Sequence, residues 1–388
     1  MRGWLLVVLL VLIAGRVVAE DGGWGIVGTA SNDFAFRVYA EIAKKRNAEN
    51  CLVSPVGLSA GLVMMAGGAG GDTRGQVMHA FGWRTQSPEA LNDGFKALLA
   101  HLRAVDPKIS FDYATSLWVA KQTPVLADFA HACNESYGAP ARAADLAQPY
   151  TSNTINAWAL QQTHGVVPRV VFPQDMEETQ HAMLVHVLAL TIPWATRFNP
   201  AATHGAEFTL TEGGKTAVSL MSRTGSFPYY EDDYLQLVKI PCGSGAGSLY
   251  VVLPKAKYTI YDIAPVVFTT KNWAAYRGEL ETRTGTLALP RLTVGTRATL
   301  AGELRELGIA DLLSKDDADL PNLSDGRTWL TLCRQRVNVV FAEGGVKAAV
   351  PPAEAPTFTM TVDHPFLVLF QLDDTILFLG HVLKPELG

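Results

Sequence analysis

Ten residues near the C-terminus constrain this chain more than any other stretch: Glu343-Gly344-Gly345-Val346-Lys347-Ala348-Ala349-Val350-Pro351-Pro352. The run is small and flexible, then abruptly stiffened by two prolines. Apolar strand material from Val337 to Phe341 precedes it. Two more hydrophobic strand runs follow, within 363–370 and 375–380. Glycine and alanine between strands predict an exposed loop able to move relative to a sheet.

The N-terminus reads as a secretory signal. Arg2 supplies the positive start, Leu5 to Ala14 is an apolar core too short to span a bilayer, and Val17-Val18-Ala19 offers a cleavage site before Glu20. Residues 1–19 are therefore expected to be removed. Residues 20–388 are expected to form one exported domain, since no linker divides them and no later segment is apolar enough to span. The apolar fraction of 48% suits a large core, and a net charge of −5 argues against a nucleic-acid partner. Cys51, Cys133, Cys242 and Cys333 are widely spaced, with no C-x-x-C, so no metal or redox motif is present. Cys51 and Cys333 adjoin apolar residues and read as buried thiols. Asn134-Glu135-Ser136 and Asn322-Leu323-Ser324 are candidate glycosylation sites at Asn134 and Asn322.

Helical spacing of Phe34, Val38 and Ile42 predicts a helix over 33–45. Cys51-Leu52-Val53 is a short strand. Ser54-Pro55 supplies an N-cap and a first-turn proline for a helix ending at Gly67-Gly68, and Asp72-Thr73 can cap the next. Ile155, Trp158 and Ala159 mark another helical face, as do Leu300, Leu304 and Leu307 before Gly308. Strands are predicted at 115–120 and 248–253, with another starting at Leu287. Helices come mostly early and strands mostly late, which is the order of an α+β fold. Gly57-Leu58-Ser59-Ala60-Gly61 has the spacing of a hydrolase nucleophile elbow. Ser54-Pro55 already occupies the strand-to-helix turn, which leaves Ser59 a turn inside the helix as a packing residue. No H-E-x-x-H or phosphate-binding G-K-[ST] occurs, so no catalytic residue, metal or cofactor is expected.

The run from Glu343, followed by His364-Pro365-Phe366 and Ile376-Leu377-Phe378-x-Gly380, resembles the hinge and closing strands of the serpin family. Further stretches fall in family order: Asn50-x-x-x-Ser54-Pro55 with Gly68 to Thr73, Ile155-Asn156-x-Trp158 with Thr163-x-Gly165, Trp194-x-x-x-Phe198-Asn199-Pro200, Tyr229-Tyr230, Ile240-Pro241, Leu253-Pro254, Leu307-Gly308-Ile309 and Ala318-Asp319-Leu320. The resemblance covers nearly all of the mature chain. It implies a serpin fold, with helices around a large mixed sheet, two smaller sheets and an exposed reactive loop spanning 343–364. It also implies that Trp194 sits at the breach, where that loop inserts.

The resemblance further implies a polar cluster beneath the sheet. Ser54 is present, Gly57 replaces the usual second serine, His186 the usual asparagine and Gln335 the usual histidine. A hydrogen bond between His186 and Gln335 is expected to restore the cluster. Aligning the hinge over Glu343, Gly344, Gly345, Val346, Lys347, Ala348, Ala349 and Val350 puts Val346 where threonine or serine is usual. The family count places the scissile bond at Thr359-Met360, with Phe358 as neighbour. No Arg or Lys lies between Lys347 and Lys384, so a trypsin-like target is not expected. The segment 89–103, where some serpins bind heparin, mixes Lys96, His101 and Arg103 with Glu89 and Asp93, so weak or no heparin binding is expected. Two functions remain open. One is a monomeric extracellular binding or decoy protein impaired by Val346, Pro351, Pro352 and Glu354. The other is a suicide-substrate inhibitor of a chymotrypsin- or elastase-like extracellular serine protease.

Overall fold

The computed structural model describes residues 23–45, 49–83, 85–177, 180–350 and 352–385. The predicted signal segment, its cleavage point at Glu20 and Pro351 lie outside the described residues.

The N-terminal part is mainly helical: α1 (Trp24–Lys44), α2 (Pro55–Gly68), α3 (Gly71–Ala80), α4 (Pro88–Ala104), α5 (Ala127–Tyr137) and α6 (Thr151–Gln162). Three short helices follow, α7 (Ile260–Val267), α8 (Thr270–Gly278) and α9 (Ala301–Glu306). Helix α2 is buried at every position except Gly67, so its apolar sequence shows no polar face. Ser54 precedes it without a side-chain capping bond, whereas Pro55 does occupy the first turn. Asp72 lies inside the first turn of α3 instead of capping it, because the helix already starts at Gly71.

Fifteen strands are joined in one hydrogen-bonded network among the described residues, with β5, β6, β12 and β13 branching from its main path. In chain order they are β1 (Cys51–Val53), β2 (Phe111–Ala120), β3 (Ala141–Ala144), β4 (Ala182–Thr191), β5 (Trp194–Thr196), β6 (His204–Thr209), β7 (Lys215–Glu231), β8 (Leu235–Cys242), β9 (Gly247–Pro254), β10 (Glu281–Thr299), β11 (Leu330–Phe341), β12 (Gly345–Lys347), β13 (Phe358–Thr361), β14 (Phe366–Leu372) and β15 (Thr375–Val382). The main sheet has the order β3-β2-β4-β11-β10. Strand β10 starts well before the predicted Leu287 and belongs to two sheets. Residues 281–291 pair with β7, whereas 292–299 pair with β11. Pro290 lies at that change of partner, where a missing N–H is most easily tolerated.

The principal core fills the space between α2 and the main sheet, joining Leu62, Leu184, Val337, Val339 and Phe341. A second core lies between α1, α7, α8 and the strands β8, β9, β14 and β15. A third packs α6 on the outer face of the main sheet, where Trp158 meets Trp118 edge-on.

Candidate functional site

The centre of the main sheet is unusual. Strands β4 and β11 run parallel and are paired directly, with Val187 opposite Arg336 and Thr191 opposite Val340. Each is antiparallel to its outer neighbour. Strand β12 and the loop leave the C-terminal end of β11. A chain folding back from there would lie antiparallel to both β4 and β11, exchanging one parallel junction for two antiparallel ones. In this structure that slot is shut along its length.

Beneath the slot, the polar residues are joined differently from the expected pattern. Gln335 donates Nε2–H to Ser54 O at 2.7 Å and accepts from Ser54 N at 2.7 Å. Its amide is thus committed to the backbone leading into α2. His186 lies opposite Gln335 in the ladder but shares its Nδ1 with Thr115 Oγ1 at 3.1 Å. The expected His186–Gln335 bond is therefore not formed, and His186 Nε2 has no partner. Burial depresses the imidazole pKa from 6.5 to about 3, so it is neutral. Gly57 explains how so large a ring fits. A β-carbon at position 57 would fall inside the imidazole, far under the 3.0 Å limit of real contacts. Gly57 and His186 thus fill jointly the space of the usual serine and asparagine. Ser59 is fully buried with its hydroxyl unpartnered, as its position within the helix predicted.

At the top of the slot, Trp194 is buried and donates Nε1–H to Ala342 O at 2.5 Å. Its ring packs on Phe198 and Phe341. The hinge is docked over this segment. Gly345 and Lys347 in β12 pair parallel with Trp194 and Thr196. Arg197 N donates to Lys347 O at 2.9 Å, and Phe198 N to Glu343 O at 3.0 Å. The Glu343 carboxylate accepts from Thr203 Oγ1 at 2.8 Å and lies 3.9 Å from Arg291. A β-carbon at Gly345 would come within 2.6 Å of Trp194 O, so glycine is required by this close approach. Val346 and Lys347 are exposed.

The scissile-bond candidates require correction. Phe358, Thr359 and Met360 lie in β13, paired parallel with Gly285, Thr286 and Leu287 of β10. Met360 is fully buried, and Phe358 stacks on Tyr229 at 3.7 Å between centroids. A bond held in a strand ladder cannot enter a protease cleft. Among the described residues of the preceding connection, Ala348, Val350 and 353–357 are exposed, Val350 by 78%. The family count thus falls on a paired segment, because the loop is short and β13 begins sooner.

In α4, Lys96 pairs with Glu135, while His101 stacks on Trp24 and contacts Asp373 at 2.8 Å. Both groups are engaged locally. All four cysteines are free thiols; Cys133, Cys242 and Cys333 are buried, whereas Cys51, expected to be buried, is half-buried at the start of β1. Asn134 and Asn322 are both exposed. Sequence reasoning missed Thr115 and Thr203. Each is brought to the site by strand register or by a turn, and nothing local marks them.

Residues 29–385 match the family described as Serpin (serine protease inhibitor). The chain is 26% identical over 383 residues to the plasma serine protease inhibitor of Mus musculus, covering 95% of this chain and 93% of that protein. It is 22% identical to plasminogen activator inhibitor 1 of Neovison vison, with 92% of each covered. The solved structure of native protease nexin-1 with heparin is similar in fold, with a TM-score of 0.83 and 20% identity over 93% of this chain and 100% of that one.

Proposed function

Because the chain belongs to the serpin family, we propose that it is an exported serpin whose loop engages an extracellular partner, such as a serine protease, without efficient covalent trapping. A serpin inhibitor is cleaved in its loop, which then inserts between the two central strands and carries the acylated protease with it. The observation that supports impaired trapping is where the loop's prolines would arrive. A two-residue turn at Glu343-Gly344 sets Val346 opposite Phe341, Ala348 opposite Val339 and Val350 opposite Val337. All three β11 partners are buried in the principal core, so the register matches apolar to apolar. The same register brings Pro351 and Pro352 opposite Arg336 and Gln335, halfway along the strand and level with His186.

Consecutive residues of a central strand bond to opposite neighbours, so the two prolines interrupt both ladders. Two buried acceptors left unpaired cost about 2–6 kcal/mol together. Glu354 would then face Cys333 in the core as an unpaired carboxylate, a further penalty. One observation favours the second reading, a suicide inhibitor of a chymotrypsin- or elastase-like protease. The hinge is small, and the slot is shut and regular, as insertion requires. In that case the scissile bond falls within Ala348–Thr357, which carries no Arg or Lys.

The deciding experiment uses exported protein and a panel of non-tryptic serine proteases. The expected outcome is a nicked loop, no SDS-stable complex and little gain in melting temperature on cleavage. Val350→Thr alone should change nothing, whereas replacing Pro351, Pro352 and Glu354 together by Ala should raise the melting temperature of the cleaved form. A covalent complex, or a large thermal gain in the unaltered protein, establishes the second reading.

A further inference from the structure

Arg223 lies in β7 beneath the exposed loop. Its guanidinium sits over two rings, 4.5 Å from the Phe227 centroid and 5.5 Å from that of Phe198. Its Nε is buried without an acceptor, and among the described residues no carboxylate pairs with it. Desolvation alone lowers its pKa, to about 10, with no opposing contribution from any acid. Such an uncompensated cation is costly, and a protein interior ordinarily supplies a counter-charge.

The space in front of this residue is a cavity of about 650 Å³ lined by Arg197, Asn199, Ser222, Arg223 and Thr224, with Ala348, Ala349, Val350 and Pro352 of the loop forming another wall. No Asp or Glu lines it. Arg197 is exposed and forms no ion pair among the described residues. Asn199 Oδ1 is engaged by Ala201 N, so its amide NH2 is the group it can offer. Glu354, farther along the loop, is exposed and also forms no ion pair among the described residues. The cavity therefore offers two guanidinium groups and neutral polar groups, with nothing to neutralise them.

We propose that this cavity binds a compact oxyanion, phosphate or sulfate, free or as a monoester, held by Arg223 and Arg197. Guanidinium forks match such oxygens geometrically. Because the loop forms one wall, the anion binds best when the loop occupies its position here. Its binding then holds the loop in place, by linkage. The site is independent of whether the loop traps a protease.

The test is titration calorimetry of the full-length exported protein with inorganic phosphate and, in a parallel arm, glucose 6-phosphate. Saturable binding of one or both is expected, and comparison of the arms separates a free ion from a monoester. Arg223→Gln should weaken the binding about tenfold or more. Arg197→Gln, at an exposed and fold-tolerant position, should weaken it in the same direction. Bound phosphate should also slow proteolysis between Ala348 and Thr357, a protection that Arg223→Gln abolishes. Absence of saturable binding in both arms overturns the proposal. So does binding that both Arg variants leave unchanged.

Discussion

Restoring the usual serine at position 57 tests whether Gly57 and His186 form one packing unit. In Gly57→Ser, the new β-carbon lands inside the His186 ring. That ring cannot step aside, since Thr115 holds Nδ1 and Tyr113 packs on it at 4.9 Å between centroids. Ordinary overpacking costs about 1–3 kcal/mol, and this overlap is deeper than one extra methylene, so about 3 kcal/mol or more is expected. His186→Asn alone opens a void and removes the Thr115 partner, for about 1–3 kcal/mol. Together the two changes recreate a serine–asparagine pair of ordinary volume. The double variant should recover about 2–3 kcal/mol relative to the sum, at the upper end of coupling between touching residues. At about 2 °C per kcal/mol for a large chain, Gly57→Ser should melt about 6 °C lower, and the double variant should melt about 4–6 °C higher than the two single shifts add up to. Melting at one fixed scan rate, together with the first urea transition, reads this without assuming reversible unfolding. A Gly57→Ser protein that melts with the parent, or single effects that simply add, refutes the argument.

Three further outcomes follow from the same geometry. The folded pKa of His186, about 3, lies below its ordinary 6.5, so its stability contribution is complete above pH 6.5 and is lost as pH falls toward 3. About 2 kcal/mol should be gone by pH 5, with buried His381, depressed to about 4, acting in the same direction. Removing His186 in the Gly57→Ser/His186→Asn protein should reduce the fall in melting temperature between pH 7.5 and 5, leaving the part due to His381; an unchanged slope assigns the acid sensitivity elsewhere. Trp194→Phe deletes the donor to Ala342 O and should cost about 1 kcal/mol while speeding proteolysis of the loop, and unaltered cleavage kinetics would show that the hinge is held without that bond. Finally, the exported chain should begin at Glu20 and carry glycan at Asn134, Asn322 or both. N-terminal sequencing, with glycosidase mobility shifts compared across Asn134→Gln and Asn322→Gln, checks both statements.

The hinge and Trp194 were located by the resemblance to the serpin family, whereas the sequence by itself determined the α+β class and the helix following Ser54-Pro55. Those last features are local: apolar periodicity and a proline at a first turn. They need few distant contacts to be read. The tertiary structure decided the rest. It gave Gln335 to the Ser54 backbone and His186 to Thr115, because sheet register, not residue type, chooses partners across a core. It moved Phe358 and Met360 from a presumed loop tip into a ladder, because a short connection lets β13 form early on β10. It also left Arg223 without an acid beneath the loop. A charge's compensation depends on what three separate segments bring within a few ångströms, and no stretch of sequence carries that information by itself.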